Sequence, residues 1–278
     1  MKPSGNSSQG SKSTARLGLT VGAVLFIGGV VAYFMTRSSN PNVVSNADLV
    51  TYYEPGAYVR DVENLRMKHH LDEEVAVEDI NRYYDVHEKE RFAKMHEAPH
   101  DRHINTFRVL QRLGIKEGMR VLEMGCGNGV TTNFIYNTLT KNVDGVDLNP
   151  NHINDAIAHA AGPGMNFHVG DMRTLNLGKQ FDVITMVDSF EHIQEHDWDQ
   201  VMNVLNRHSH VGTLVYISIP APEYQISMYE THAYKRQAVD EIVTFGPLIT
   251  TMWSHNFAIR HLNYWHAARA DLVFVYEE

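Results

Sequence analysis

Between Met119 and Gly129 the chain reads Met-Arg-Val-Leu-Glu-Met-Gly-Cys-Gly-Asn-Gly, a short apolar strand that runs into a turn with glycine at positions 125, 127 and 129. The helical pattern Val130 to Leu139 follows at once. A strand that turns this sharply needs residues without Cβ, and the helix that follows offers unpaired N–H groups at its N-terminus. Such a unit belongs to a parallel α/β sheet whose ligands meet the carboxyl ends of the strands. A dinucleotide fingerprint would require glycine at position 130, where this sequence has Val130, so the oxidoreductase reading loses ground.

The stretches beyond the loop repeat the logic of strand, turn and polar residue. Val-Asp-Gly-Val-Asp-Leu-Asn ends a second apolar strand at Asp147 and Leu148, about 20 residues after the glycines, where an acid accepts hydrogen bonds from both hydroxyls of a ribose. Asn166 to Val169 reads as a third strand closing on Gly170, Asp171 and Met172, an acid for an exocyclic amine beside a thioether for a ring face. A fourth strand, Phe181 to Val187, runs into Asp188-Ser189-Phe190-Glu191-His192-Ile193. Each residue also has a plainer use: Glu123 as a strand-end charge, Asp147 as a helix cap, Asp171 in a turn, Met172 in the core. Their order along successive strand ends favours the joint reading.

Taken together these motifs resemble the class I S-adenosylmethionine-dependent methyltransferases, with their acidic-x-G-x-G-x-G loop, acids closing strands two and three, and a Glu-His-Ile element after strand four. The resemblance covers residues 119 to 219, through a helix at 197 to 208 and a fifth strand Thr213 to Ile219. It implies a seven-stranded, mostly parallel Rossmann-like sheet with helices on both faces, completed by a C-terminal antiparallel hairpin from Phe257 to Trp265 and Asp271 to Tyr276. It also implies S-adenosyl-L-methionine as cofactor. Glu123, Gly125, Cys126, Gly127, Asn128 and Gly129 would hold its methionine end, Asp147 and Leu148 its ribose, Asp171 and Met172 its adenine, with Asp188 beside them. One departure is His210-Val211-Gly212, where the family has Pro-Gly-Gly before strand five.

Upstream, Leu17 to Met35 carries no charged side chain. At about 1.5 Å per residue, a helix of that length nearly crosses a bilayer core. We expect a retained single-pass anchor over residues 17–35, behind a basic, Ser-rich tail (1–16) and ahead of a linker (36–57), a helical cap (58–113) and the catalytic domain (114–278). A signal peptide, a core helix or a targeting presequence compete with the anchor. Lys2, Lys12 and Arg16 precede the run and Arg37 closely follows it, which by the positive-inside rule sends the main domain across the membrane, away from cytosolic donor. Topology, membrane and oligomeric state stay open. Of the net charge of −9, the first 47 residues hold four basic and no acidic side chains, leaving 20 basic against 33 acidic in the rest. So acidic a domain repels a phosphate backbone, and nucleic acid is not expected as a partner. One cysteine, Cys126, excludes an internal disulfide and a multi-cysteine zinc site.

Methyl transfer from a sulfonium is an in-line displacement that depends on alignment and dryness, so a base is optional. Two histidines are candidates for one. His196, in Glu-His-Asp-Trp-Asp, resembles the His-Asp-Trp element of plant-type O-methyltransferases, and His192 belongs to the Glu-His-Ile element, whose usual role is structural or donor-adjacent. His87, His96, His100 and His103 form a local cluster without metal-ligand spacing and read as solvated surface, and no catalytic metal is expected. The acceptor pocket is expected to be built by the N-terminal helices and the insertion after strand five, which offers Tyr224, Met228, Tyr229, His232 and Tyr234 for it, or for an ordinary packed lid. The sequence therefore predicts a membrane-anchored methyltransferase for a small lipid-like, isoprenoid or phenolic acceptor. A protein methyltransferase and a non-catalytic scaffold are the alternatives.

Overall fold

The computed structural model describes residues 75–88, 101–159, 162–231, 237, 239–265 and 268–278. The apolar run 17–35, the linker, His96, His100, His232 and Tyr234 lie outside the described residues. Among the described residues, no helix is long and apolar enough to cross a membrane.

The strands are β1 (Arg120–Met124), β2 (Asn142–Asp147), β3 (Met165–Val169), β4 (Phe181–Val187), β5 (Ser209–Pro220), β6 (Phe257–Trp265) and β7 (Arg269–Tyr276). They form one sheet in the order β3-β2-β1-β4-β5-β7-β6. The first five are parallel, and β7 lies antiparallel between β5 and β6. This is the expected sheet with its C-terminal hairpin.

Alternation along the central strands divides the core into two faces. Leu122, Met124, Ile184, Met186, Val215 and Ile217 bury one face, where they join Val201, Met202 and Leu205 of α5 (Trp198–His208) and Leu248 and Met252 of α7 (Phe245–Ser254). Val121, Val183, Tyr216 and Val273 bury the other, against Leu110 of α2 (Asp101–Arg112) and Ile135 of α3 (Val130–Thr138). With helices on both faces, β4 is free of the polar alternation of a half-exposed strand, which is why it was legible as an apolar run.

Asp144 and Asp271, two acids buried in the sheet, are each held by several partners that offset their desolvation. Within β2, Asp144 meets Lys179 Nζ at 2.8 Å from both its oxygens and His168 Nε2 at 2.8 Å. In β7, fully buried Asp271 accepts hydrogen bonds from Tyr216 OH at 2.9 Å, Asn105 Nδ2 at 2.7 Å and Trp265 Nε1 at 3.3 Å. That one carboxylate ties α2, β5 and β6 to β7.

β5 is longer than Thr213–Ile219. Ser209 already pairs with Phe181, and the ladder resumes at Leu214 opposite Val183, so His210-Val211-Gly212 bulges out of the strand. Thr213 fastens the bulge by accepting from His210 N at 2.9 Å and donating to Phe181 O at 2.7 Å. The insertion after β5 contains the helix α6 (Pro222–Thr231), and α7 is an element the sequence reading did not foresee.

Candidate functional site

The sheet delivers the polar residues that end β1 to β4 to one cleft. Its lining includes Glu123, the loop Gly125 to Asn128, Asp147, Leu148, Asp171, Met172 and Asp188, which are the residues read from successive strand ends. Gly129 does not line the cleft; it starts α3 with φ of 79°. A Cβ there would stand 2.9 Å from Ala156 Cβ, so close packing as well as the left-handed backbone demands glycine. Gly125, with φ of 77°, admits no Cβ either, because it would collide with the side chain of Ser189. The loop thus sits directly against the segment that leaves β4.

Glu123 is 2% exposed and accepts a hydrogen bond from the Thr132 hydroxyl. Burial, only partly offset by the threonine hydroxyls, pushes its carboxyl up to about 8. It is therefore poised to ionise when a cation arrives beside it. Burial likewise pushes the Cys126 thiol up, which leaves it a small apolar filler of the loop.

Asp147 organises the next strand end. Its Oδ2 accepts from Gly127 N at 2.8 Å, while Oδ1 accepts from Asn149 N at 2.9 Å and faces His152 Nδ1 at 3.2 Å. The carboxylate is oriented by three partners, and Oδ2 retains a lone pair for a ligand hydroxyl. At the third strand end Asp171 is gripped by Arg173, whose Nε lies 3.0 Å from each oxygen. Burial alone would raise the Asp171 carboxyl, but the Arg173 guanidinium and backbone N–H outweigh it and hold it below the usual range. Arg173 also reaches Asp197 at 2.9 Å, joining the third strand end to the turn ahead of α5.

Asp188, at φ of 52°, is one of two described non-glycine residues with positive φ. Its carboxylate pairs with Arg102 from α2 and Arg269 from β7. A strained backbone locked by two guanidinium groups at a cleft wall is the kind of site where function maintains strain.

The two candidate bases are placed differently. His192 lines the cleft, with Nδ1 2.7 Å from Val239 O. A carbonyl can only accept, so in the neutral ring Nδ1 carries the hydrogen and Nε2 is the basic nitrogen. His196 is exposed, 3.8 Å from Asp197, and does not line the cleft. Nor do the described members of the insertion: Tyr224 is 42% exposed, Met228 is half-buried outside the cleft, and Tyr229 is engaged with Gln225 and with Asp240 O at 2.9 Å.

The sequence pointed to the N-terminal helices as walls of the acceptor pocket without naming which of their side chains reach it, and the described part of the insertion after strand five, expected beside them, stays outside the cleft. The helix α1 (Val77–Tyr83) and the π-helical turn Tyr84–Glu88 supply Ile80, Asn81, Tyr83 and Tyr84. Tyr84 stands between the two halves of the site, its ring edge-on to His152 at 5.5 Å and to His192 at 6.5 Å. His103, expected on a solvated surface, is 4% exposed, with Nδ1 2.7 Å from Thr131 Oγ1. Its place at i, i+3 and i+7 from Thr106 and Leu110 on the buried side of α2 was the available signal. Among the described residues no group of three or more His, Cys, Asp or Glu side chains has the arrangement to hold a metal.

Residues 121–212 match the family described as Methyltransferase domain. Over 99 residues, 36% of this chain and 25% of the relative, it is 31% identical to a cyclopropane-fatty-acyl-phospholipid synthase of Escherichia coli K12. A magnesium-protoporphyrin O-methyltransferase of Rhodobacter capsulatus is 30% identical over 40% of this chain and 50% of its own length. A phosphoethanolamine N-methyltransferase of Triticum aestivum is 34% identical over 32% and 19%. The chain thus spans between a fifth and a half of these relatives. The magnesium protoporphyrin IX methyltransferase of Synechocystis PCC 6803, solved with bound SAH, superposes with a TM-score of 0.59 at 14% identity, over 71% of this chain and 98% of that one. Residues 121–212 thus match a methyltransferase domain, and the sheet built around them has the fold of the solved magnesium protoporphyrin IX methyltransferase.

Proposed function

We propose that the chain transfers a methyl group from S-adenosyl-L-methionine to a small acceptor. One observation carries this reading: the ends of β1, β2 and β3 contribute Glu123, Asp147 and Asp171 to a single cleft whose loop cannot bear a Cβ at Gly125. The residues fit the donor. A buried acid beside the glycine loop suits an ammonium group, Asp147 with its remaining lone pair suits ribose hydroxyls, and Met172 beside Asp171 suits an adenine face and its amine. When bound, the donor supplies an activated methyl carbon. The protein's own task is to align the acceptor with it and to exclude water.

The acceptor's side of the cleft is read as Tyr83, Tyr84, Arg102, Asp188 and His192. His192, through Nε2, would take a proton from an acceptor hydroxyl or amine as its new bond forms. The relatives' names include both N- and O-methylation, and lipid and porphyrin acceptors, so they support a small-molecule acceptor without selecting the atom. Residues 17–35 fit a membrane tether for such an amphiphile.

The test is donor titration followed by acceptor screening, with His192→Asn as the mechanistic arm. If His192 is the base, turnover of a hydroxyl acceptor falls by about 10²–10⁴ with donor affinity retained, while His196→Ala leaves turnover within a factor of two. Equal losses in the two variants would remove His192 from this role.

A further inference from the structure

Above the cleft, residues 75–88 form a strap with its own small apolar cluster of Val75, Tyr83 and Val239, packed by Ile80 and Tyr84 and separate from the two faces of the sheet core. What joins the strap to the donor side is polar. Asn149, 1% exposed, follows Asp147 by two residues, and each of its groups is engaged. Its N–H donates to Asp147 Oδ1 at 2.9 Å, and its Oδ1 accepts from Asn151 N at 2.8 Å, capping α4 (Pro150–His159). Its Nδ2 donates to Asp85 Oδ1 at 2.9 Å and faces Asn81 O at 3.3 Å. The second oxygen of Asp85 accepts from Asn151 Nδ2 at 2.9 Å.

We propose that Asp85 is a positioning residue for the donor: by clamping the amides of Asn149 and Asn151 it holds the strap, and Tyr84 with it, over the occupied site. This rests on the methyltransferase reading above and adds to it where closure is controlled. Asp85 touches no reacting atom; it acts through Asn149 on Asp147. A carboxylate accepting two amide N–H bonds across the boundary between strap and body is a charge-assisted contact, stronger than its neutral equivalent and correspondingly costly to leave half-made. The same Asn149 orients the oxygen of Asp147 that faces away from the glycine loop, so ordering the ribose end and seating the strap favour one another. The π-helical turn contributes by starting at Tyr84, which it presents between His152 and His192 while Tyr84 OH reaches Gln237 at 3.3 Å.

Three measurements on the full-length chain, with S-adenosylhomocysteine as probe, test this. In the wild type, amide hydrogen exchange across residues 77–88 slows at least tenfold when the probe binds. In Asp85→Ala, probe dissociation accelerates at least tenfold while association changes by less than threefold. Asn151→Ala, which removes half of the clamp, falls between, and the double variant is no worse than Asp85→Ala because both changes break one contact. Asp199→Ala, an exposed acid at the start of α5, matches the wild type. Should Asp85→Ala fail to fold, Asn151→Ala and the wild-type exchange carry the test. Unchanged dissociation and unchanged exchange in a chain that binds the probe overturn the strap's role alone. A folded wild type that does not bind the probe overturns the methyltransferase reading as well.

Discussion

Among single residues, the groups that matter most are costly where they stand. Glu123 is buried and its carboxyl lies near 8, well above the 4.5 of an exposed carboxyl. The folded chain therefore binds more protons at this site than the unfolded chain between about pH 4.5 and 8, and stability falls as pH rises through that window. Glu123→Gln removes the penalty: thermal unfolding against pH should show a variant that gains on the wild type from pH 5 to 8 and holds its advantage above. Donor affinity should move the other way. An ammonium arriving beside Glu123 favours the ionised form, so wild-type affinity rises from pH 6.5 to 8 with proton release, and Glu123→Gln flattens the profile. A wild type with pH-independent affinity would separate Glu123 from the donor. At Gly125 an added Cβ meets both a left-handed backbone and Ser189, so Gly125→Ala should abolish donor binding and lower stability by about 1–3 kcal/mol. These residues were legible because each stands at a fixed place: an acid or a glycine at the end of an apolar run. Arg102, His103 and Tyr84 were not, because they reach the cleft from helices far away in sequence, and helical spacing says only which side is buried.

Among the elements, β7 is the one whose polar content was unreadable. Asp271 looks like an edge charge in sequence, yet it is fully buried and satisfies Tyr216, Asn105 and Trp265. Burial beside this acid pushes the Tyr216 hydroxyl up and keeps it a donor. Asp271→Ala removes the acceptor shared by three donors, and with a buried unsatisfied group costing about 1–3 kcal/mol, a loss of that size is expected in urea unfolding. A loss under 1 kcal/mol would mean the three donors find other partners. The strands themselves were predicted well where both faces are buried, as in β4. The bulge in β5 was visible only as an unusual His-Val-Gly, because which residues leave a ladder depends on the partner's register. Helix α6 was hidden by its lack of a strong apolar stripe, and its aromatic residues, taken from sequence as pocket candidates, spend themselves on the surface and on Gln225 and Asp240.

For the whole molecule, a sheet with helices on both faces places every candidate donor residue at the carboxyl ends of parallel strands, and the hairpin β6–β7 widens the sheet on the opposite flank from β3. This architecture followed from the order of motifs. The rest of the cleft was legible only as far as the contribution of the N-terminal helices, because its walls are assembled from α1, α2 and the segment after β4 rather than from one contiguous stretch. The proposed tether belongs to this scale too: full-length chain should co-sediment with phospholipid vesicles and a form lacking residues 17–35 should stay in the supernatant, whereas equal partitioning would refute the anchor. The central claim is that the three strand ends form a donor site. Calorimetric titration of the full chain with S-adenosyl-L-methionine, beside Asp147→Ala, tests it most directly. Saturable one-to-one binding, weakened about a hundredfold in the variant by the loss of charge-assisted hydrogen bonds, is the predicted result. A folded wild type that takes up no donor, or a variant that binds as well as the wild type, would contradict the account.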